Sequence, residues 1–313
     1  MNILVTGGLG YVGGRLAQHL CGLGHTVVLG TRRKTGPPDW LPQAGVVRCQ
    51  WDSREALRDI CDGMDAVIHT AGMNAQACAA DPVAALAFNG VATSRLLEAA
   101  CLQRALRFIY VSTAHVYDSP LTGAITEKTC PKNLHPYAAS HRAGEDAVRF
   151  SNRRGIIEGV VIRLSNSFGA PAHKSADCWT LLVNDLCRQA LTTSKMVLNS
   201  SGLQRRDFIS MADACNAISH LLHLPAERLG EDMFNVGGRW APTVWEMACL
   251  VRSRCEASMG FKPELSRVMP ANCEITAGLD YCIDRLLQTG FRSDADPLAE
   301  IDQLLLCSKQ WFC

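Results

Sequence analysis

The first thirteen residues constrain this chain more than any other stretch. Asn2-Ile3-Leu4-Val5-Thr6 is a short apolar run of β-forming residues, and Gly7-Gly8-Leu9-Gly10-Tyr11-Val12-Gly13 follows at once. A helical pattern then starts at Tyr11 and runs to about Leu23. Each glycine meets a separate demand of a strand that must turn sharply into a helix. Gly7 allows the tight turn, Gly10 lets an anion approach the backbone, and Gly13 lets helix and strand pack closely. The first helical turn, led by Tyr11 and Val12, offers unpaired N–H groups to a dinucleotide pyrophosphate. A unit of this kind begins an open α/β sheet.

The alternation continues. Strands are expected at Thr26–Leu29, Val46–Cys49, Ala66–His69 and Phe108–Val111, with helices from Tyr11 and Arg54 and a helical stretch from Asn89 to Ala100 between them. Strands alternating with helices of this length imply an α/β fold: a Rossmann-type, doubly wound parallel sheet covered on both faces. At 313 residues and 48% hydrophobic content, the chain can bury a core of that size. We place a dinucleotide-binding domain at 1–165, with return segments near 204–235. A smaller, mainly substrate-binding region takes 166–313, and the Val160–Gly169 segment is expected to end the sheet.

Charge and composition exclude several roles. A net charge of +1 with 19% charged residues gives no reason to expect nucleic acid or an acidic membrane surface as partner. No apolar run approaches the roughly 20 residues that span a bilayer. The strand beginning at Asn2 leaves no room for a signal peptide, so a cytoplasmic protein is expected. Fifteen cysteines occur without any Cys-x-x-Cys pair. They are expected to be small buried hydrophobes in a reducing compartment, not a metal site or a disulfide framework.

The second strand leads into Gly30-Thr31-Arg32-Arg33-Lys34. An NAD site normally has Asp or Glu at this strand end to bind the ribose 2′-OH. Gly30 stands at that place, and the basic groups that follow suit a 2′-phosphate. Arg32 and Arg33 therefore point to NADP(H), with NAD as the alternative and a solvated basic loop as the bland one.

Two further stretches carry the chemistry: Ser112-Thr113-Ala114-His115-Val116-Tyr117 and Tyr137-Ala138-Ala139-Ser140-His141. With the glycine turn, they resemble the extended short-chain dehydrogenase/reductase family, of the sugar-nucleotide epimerase, dehydratase and reductase type. The resemblance implies that Tyr137 exchanges a proton with the substrate oxygen and that Thr113 orients that oxygen. His141 stands where the family has a lysine that lowers the tyrosine pKa and binds the nicotinamide ribose. It also implies that Asp52 meets the adenine amine, that His69, Ala71 and Gly72 border the cofactor, and that Asn89 is a structural hydrogen-bonder. Ile162-Arg163-Leu164-Ser165-Asn166-Ser167-Phe168-Gly169 resembles the family turn whose Asn contacts the substrate diphosphate. Gln204-Arg205-Arg206-Asp207-Phe208 resembles the segment whose arginine grips it. Arg206 is the candidate, Arg205 is expected to be solvated, and His115 borders the pocket. A homodimer is the expected assembly.

His141 is the departure that matters. An ammonium about 4–6 Å from the phenol would favour phenolate by roughly 3–4 kcal/mol at an effective dielectric near 20, or about 2–3 pKa units. An imidazole with its ordinary pKa near 6.5 can be charged at pH 7 for under about 1 kcal/mol. Its charge is therefore recoverable; the reach of the lysine stem is not. Reduced or altered activity, full activity through His141, and cofactor binding without redox chemistry all remain open. The dehydratases of the family place an acid just after the catalytic hydroxyl, where this chain has Ala114 and His115, so water elimination is not expected. The leading reading is an NADP(H)-dependent 4-ketoreductase acting on a nucleotide-linked deoxysugar. A 4-epimerase with tightly held NAD and a catalytically impaired regulatory protein are the alternatives.

Overall fold

A computed structural model describes residues 1–271 and 276–313; Cys273 lies outside them. Nearly continuous apolar runs form the central strands of the main sheet, which are buried on both faces, as a covered parallel sheet requires. The strands are β1 Asn2–Thr6, β2 Thr26–Thr31, β3 Gly45–Arg48, β4 Ala66–His69, β5 Arg107–Thr113, β6 Gly123–Ile125 and β7 Glu158–Leu164. They continue as β8 Asn166–Phe168, β9 Lys195–Leu198, β10 Phe208–Ser210, β11 Met233–Val236, β12 Glu264–Arg267 and β13 Leu279–Tyr281. Seven of them make the main sheet in the order β11-β7-β5-β4-β1-β2-β3, all parallel. The order reverses between β1 and β4, so the crevice for a ligand opens at the carboxyl ends of those two strands.

Three expectations need correction. The sheet does not end at 160–169: β11 pairs with β7 in register Met233↔Val161 to Val236↔Leu164 and forms the edge. The alternation that marks a solvated edge is missing because every residue of β11 is buried. Strand β2 runs on to Thr31, so the residue at its end is Thr31 and Gly30 lies inside it. Strand β5 likewise extends through Ser112 and Thr113, which carries the catalytic hydroxyl candidate on regular structure.

The glycine turn is as tight as its sequence implied. Gly7 has φ +72°, and a Cβ there would sit 2.8 Å from Ala71 N; one on Gly13 would sit 2.3 Å from Gly7 O. Beyond the main sheet, β8 pairs with β10, β9 with β12 and β6 with β13. A second apolar cluster joins the helices Leu182–Thr193, Val244–Met259 and Pro297–Phe312 through Leu186, Val251 and Leu304. Among the described residues no helix is long and apolar enough to cross a membrane. Of the fourteen described cysteines all are free, and Cys49, Cys61, Cys178 and Cys215 are buried thiols pushed up to about 12 by that burial.

Candidate active site

At the cofactor end, the Tyr11–Gly22 helix starts on Gly10 with no side-chain cap and no acid in its first turn. Its leading N–H groups are thus open to an anion. The Gly30 carbonyl accepts from Gly7 N at 2.9 Å and Gly8 N at 3.2 Å, so Gly30 anchors the turn instead of greeting a ribose. Ala71 packs directly beneath Gly7, and Gly72 follows it toward the catalytic helix. The buried Tyr11 ring ties this loop to the substrate half by donating to Gly169 O at 3.0 Å. Arg32 and Arg33 are exposed; the Arg32 guanidinium lies 5.4 Å over the Phe88 ring, which meets Trp51 edge-on at 5.3 Å.

Of two predicted cofactor residues, Asp52 lies open to solvent and the His69 side chain is spent inside the core. The Asp52 carboxylate faces solvent, fully exposed, and binds Arg95 at 2.9 Å. His69 is 1% exposed, with Nδ1 2.6 Å from Thr6 Oγ1 and Nε2 2.9 Å from Thr93 Oγ1. Both ring nitrogens are used inside the core, so its side chain is not available to a cofactor. Burial pushes that imidazole down to about 3.

At the catalytic end, Pro136 opens the Pro136–Arg153 helix at a position that needs no N–H, and His135 Nδ1 accepts from Tyr137 N at 3.1 Å. Tyr137 and His141 lie one turn apart on the same face, with ring centroids 4.6 Å apart in an edge-on arrangement. The Thr113 hydroxyl lies close enough to the Tyr137 phenol to lower its pKa. Sequence reasoning had these three together, and the structure brings them together.

Their electrostatics depart from expectation. His141 is 5% exposed, and burial pushes it down to about 4. Charging it at pH 7 therefore costs on the order of 4 kcal/mol, not the small sum an exposed imidazole would need. Its charge is not recoverable, and this corrects the expectation. With no cation beside it, Tyr137 is raised above its ordinary value by burial, against which the Thr113 hydroxyl acts. The chain holds a neutral phenol next to a neutral imidazole.

A layer beneath the site escaped the sequence reading. Glu145, two turns on from Tyr137, accepts from Ser112 Oγ at 2.6 Å and takes three hydrogen bonds from Arg163, at 2.5 Å from Nη2 and at 3.0 and 3.2 Å from Nε. Arg163 lies 4.5 Å over the Tyr117 ring, and Tyr117 Oη donates to Asn235 Oδ1 at 2.7 Å. Both partners of the ion pair are nearly fully buried; removing one would strand the other at about 3–5 kcal/mol. The spacing 137, 141, 145 was the available signal. Asn89 sits in the π-helical stretch Leu86–Ala92, accepts from Met73 N at 2.9 Å and donates to Ser140 Oγ at 3.0 Å. It is structural, as expected.

In the substrate half, His115, Asn166 and Arg206 converge. Burial is the first cause that lowers His115, followed by the Arg206 charge, while a hydrogen bond with Asn166 opposes both. Asn166 Nδ2 donates to Asp207 O at 2.9 Å, which fixes β8 beside β10. Arg206 is partly buried and lowered by desolvation. Arg205 is not solvated as expected: its Nη1 donates to Ala241 O at 2.8 Å. No acid stands at Ala114 or His115. Among the described residues, no group of His, Cys, Asp and Glu fits a metal ion.

The model of the NAD dependent epimerase/dehydratase family matches residues 3–237, three quarters of the chain and all of the main sheet but its first residue. The chain belongs to that family. Among its relatives, a dTDP-glucose 4,6-dehydratase of Actinoplanes sp. is 31% identical over 277 residues, covering 82% of each chain. Another protein of that name, from Streptomyces niveus, is 28% identical over 272 residues, with 82% of this chain and 78% of the relative covered. In structure, a Thermus thermophilus UDP-glucose 4-epimerase solved with NAD superposes at TM-score 0.81, with 21% identity and 98% and 99% of the two chains covered. The UDP-glucuronic acid 4-epimerase of Bacillus cereus, solved with UDP-glucuronic acid and NAD, gives 0.80 at 20% identity over 99% of each chain. At that identity the structural likeness speaks for the fold alone.

Proposed function

We propose that this family member is an NADP(H)-dependent 4-ketoreductase of a nucleotide-linked deoxysugar. The observation that carries the reading is the neutral pair Tyr137 and His141. Oxidation of a sugar hydroxyl, the first step of an epimerase or a 4,6-dehydratase, needs a phenolate base. Reduction of a ketone needs a phenol that still holds its proton. Tyr137 is raised by burial and has no cation beside it, so it suits the second task.

The residues present fit a dinucleotide: a Cβ would fill the turn at Gly7 and Gly13, and the helix beginning at Tyr11 presents an uncapped N-terminus. When bound, the reduced nicotinamide supplies hydride to the carbonyl carbon. Thr113 holds the carbonyl oxygen beside Tyr137. As the C–O π bond opens and its electron pair moves to oxygen, the Tyr137 O–H would give its proton to that oxygen, so that an alcohol results, and the phenolate would regain a proton from water. Arg206, with Asn166 beside it, meets the substrate diphosphate as a planar donor in a partly desolvated wall. The lack of an acid after Thr113 removes the partner that water elimination requires.

Arg32 and Arg33, exposed at the end of β2 with Thr31 between them and Gly30, support the phosphorylated cofactor. Val83, Leu86 and Phe150 expose large apolar side chains on the helices around the site, which supports the homodimer. A cytoplasmic location and the two-part division of the chain belong to the same reading. The test is reduction of UDP- and dTDP-linked 4-keto-6-deoxyglucose by NADPH. Tyr137→Phe removes the proton donor and should lower turnover by about 10²–10⁴-fold, with cofactor affinity within a few-fold. Undiminished turnover in that variant places the acid elsewhere, with His115 the first suspect.

A further inference from the structure

Tyr110 lies on β5 with its ring 1% exposed, and its phenol oxygen is 2.8 Å from His141 Nδ1. The two rings stack with centroids 5.8 Å apart. A second feature makes the approach possible. Gly144 stands three residues after His141 on the catalytic helix, and a Cβ there would come within 2.9 Å of the Tyr110 phenol oxygen and of Asn89 O. The missing side chain lets the phenol lie against the helix backbone and reach Nδ1. On its far side Tyr110 stacks on His69 at 5.5 Å. Thr93 Oγ1, which donates to Asn89 O at 2.7 Å and faces His69 Nε2, also acts on the Tyr110 phenol. A buried phenol proton needs an acceptor. His141 Nδ1, at 2.8 Å, is the ring nitrogen within its reach, and the imidazole tautomer sets which of the two groups donates. The other ring nitrogen turns the opposite way: a Cβ on Gly72 would sit 3.6 Å from His141 Nε2.

We propose that Tyr110 is a positioning residue that donates its phenol proton to His141 Nδ1, fixing the ring as the Nε2–H tautomer with that N–H aimed past Gly72 at the cofactor cleft. The family's ammonium is thus replaced by a two-residue device, a phenol behind and a neutral N–H donor in front. It holds the cofactor sugar without supplying the charge that would ionise Tyr137. The inference rests on the ketoreductase reading for the second of these effects and on geometry alone for the first.

The experiment separates the two. Imidazole 15N–1H spectra of the full chain, with His141→Gln to assign the signal, should show His141 as the Nε2–H tautomer from pH 6 to 8. An Nδ1–H tautomer overturns the proposal. Tyr110→Phe, a near-isosteric change checked for folding by thermal melting, should mix the tautomers and weaken NADPH binding by about tenfold, the size of one hydrogen bond. In the His141→Lys background the same Tyr110→Phe change should alter NADPH affinity less than about twofold, because no imidazole remains to be oriented. Equal losses in both backgrounds mean a packing role and overturn it. These readouts need no turnover, so they stand apart from the ketosugar assay, whose failure would instead remove the ketoreductase reading.

Discussion

At residue 141 the sequence shows which group is present but not its charge. Histidine at an exposed site would titrate near 6.5 and stand in for a cation part of the time. Desolvation between β5, the turn at Gly72 and the helix itself pushes it down to about 4, so at neutral pH it is neutral. An activity that falls as pH rises through a histidine pKa is therefore not expected. His141→Lys places an ammonium beside Tyr137 and should lower the phenol by about 2–3 pKa units. The alkaline loss of ketone reduction then moves down by that amount, while oxidation of the product alcohol gains. A pH–rate profile of the variant in both directions checks this, and an unshifted profile would make position 141 electrostatically silent. The residues themselves, Thr113, Tyr137 and His141, were legible because the stretches that hold them resemble the family's motifs. Burial is not written in spacing, and neither is a partner such as Tyr110 on another element.

At the scale of elements, local patterns placed the turn from β1 into its helix, expected from Tyr11 to about Leu23 and found at Tyr11–Gly22. They failed where tertiary pairing decides. A return to the first domain was expected near 204–235, but its end becoming the edge strand β11 beside β7 is decided by tertiary pairing. His69 ends β4 beside the crevice but points into the core, where Thr6 and Thr93 hold it. The end of β2 carries the cofactor prediction. Arg32→Ala/Arg33→Ala should weaken NADPH binding by roughly 2–4 kcal/mol and leave NADH nearly unchanged. Fluorescence titration with each cofactor reads the difference; equal losses would mean that the basic loop serves neither.

At the scale of the molecule, two buried neutral imidazoles tie stability to pH. His69 and His141 are held below their ordinary value, at about 3 and 4, because folding removes them from water. The unfolded chain binds protons at these positions from about pH 6.5 downward, and the folded chain does not. Their contribution is therefore complete above about pH 6.5 and is lost as pH falls toward the folded values, on the order of 3 kcal/mol for His141 by pH 4. Denaturant unfolding from pH 7 to 4 should show this decline, and His141→Gln should flatten part of it. A variant that declines as steeply as the wild type would place the acid sensitivity in other groups.

The proposed ketone reduction rests on the neutrality of Tyr137 and His141, and one profile tests it. Single-turnover reduction of a nucleotide-linked 4-keto-6-deoxyglucose by NADPH should be measured from pH 6 to 10.5. With Tyr137 raised above its ordinary value as the acid, the rate stays level through neutrality and falls only above about pH 10. A fall centred between pH 6 and 8 would contradict the account, since it would mean a charged histidine or a phenol already poised to ionise.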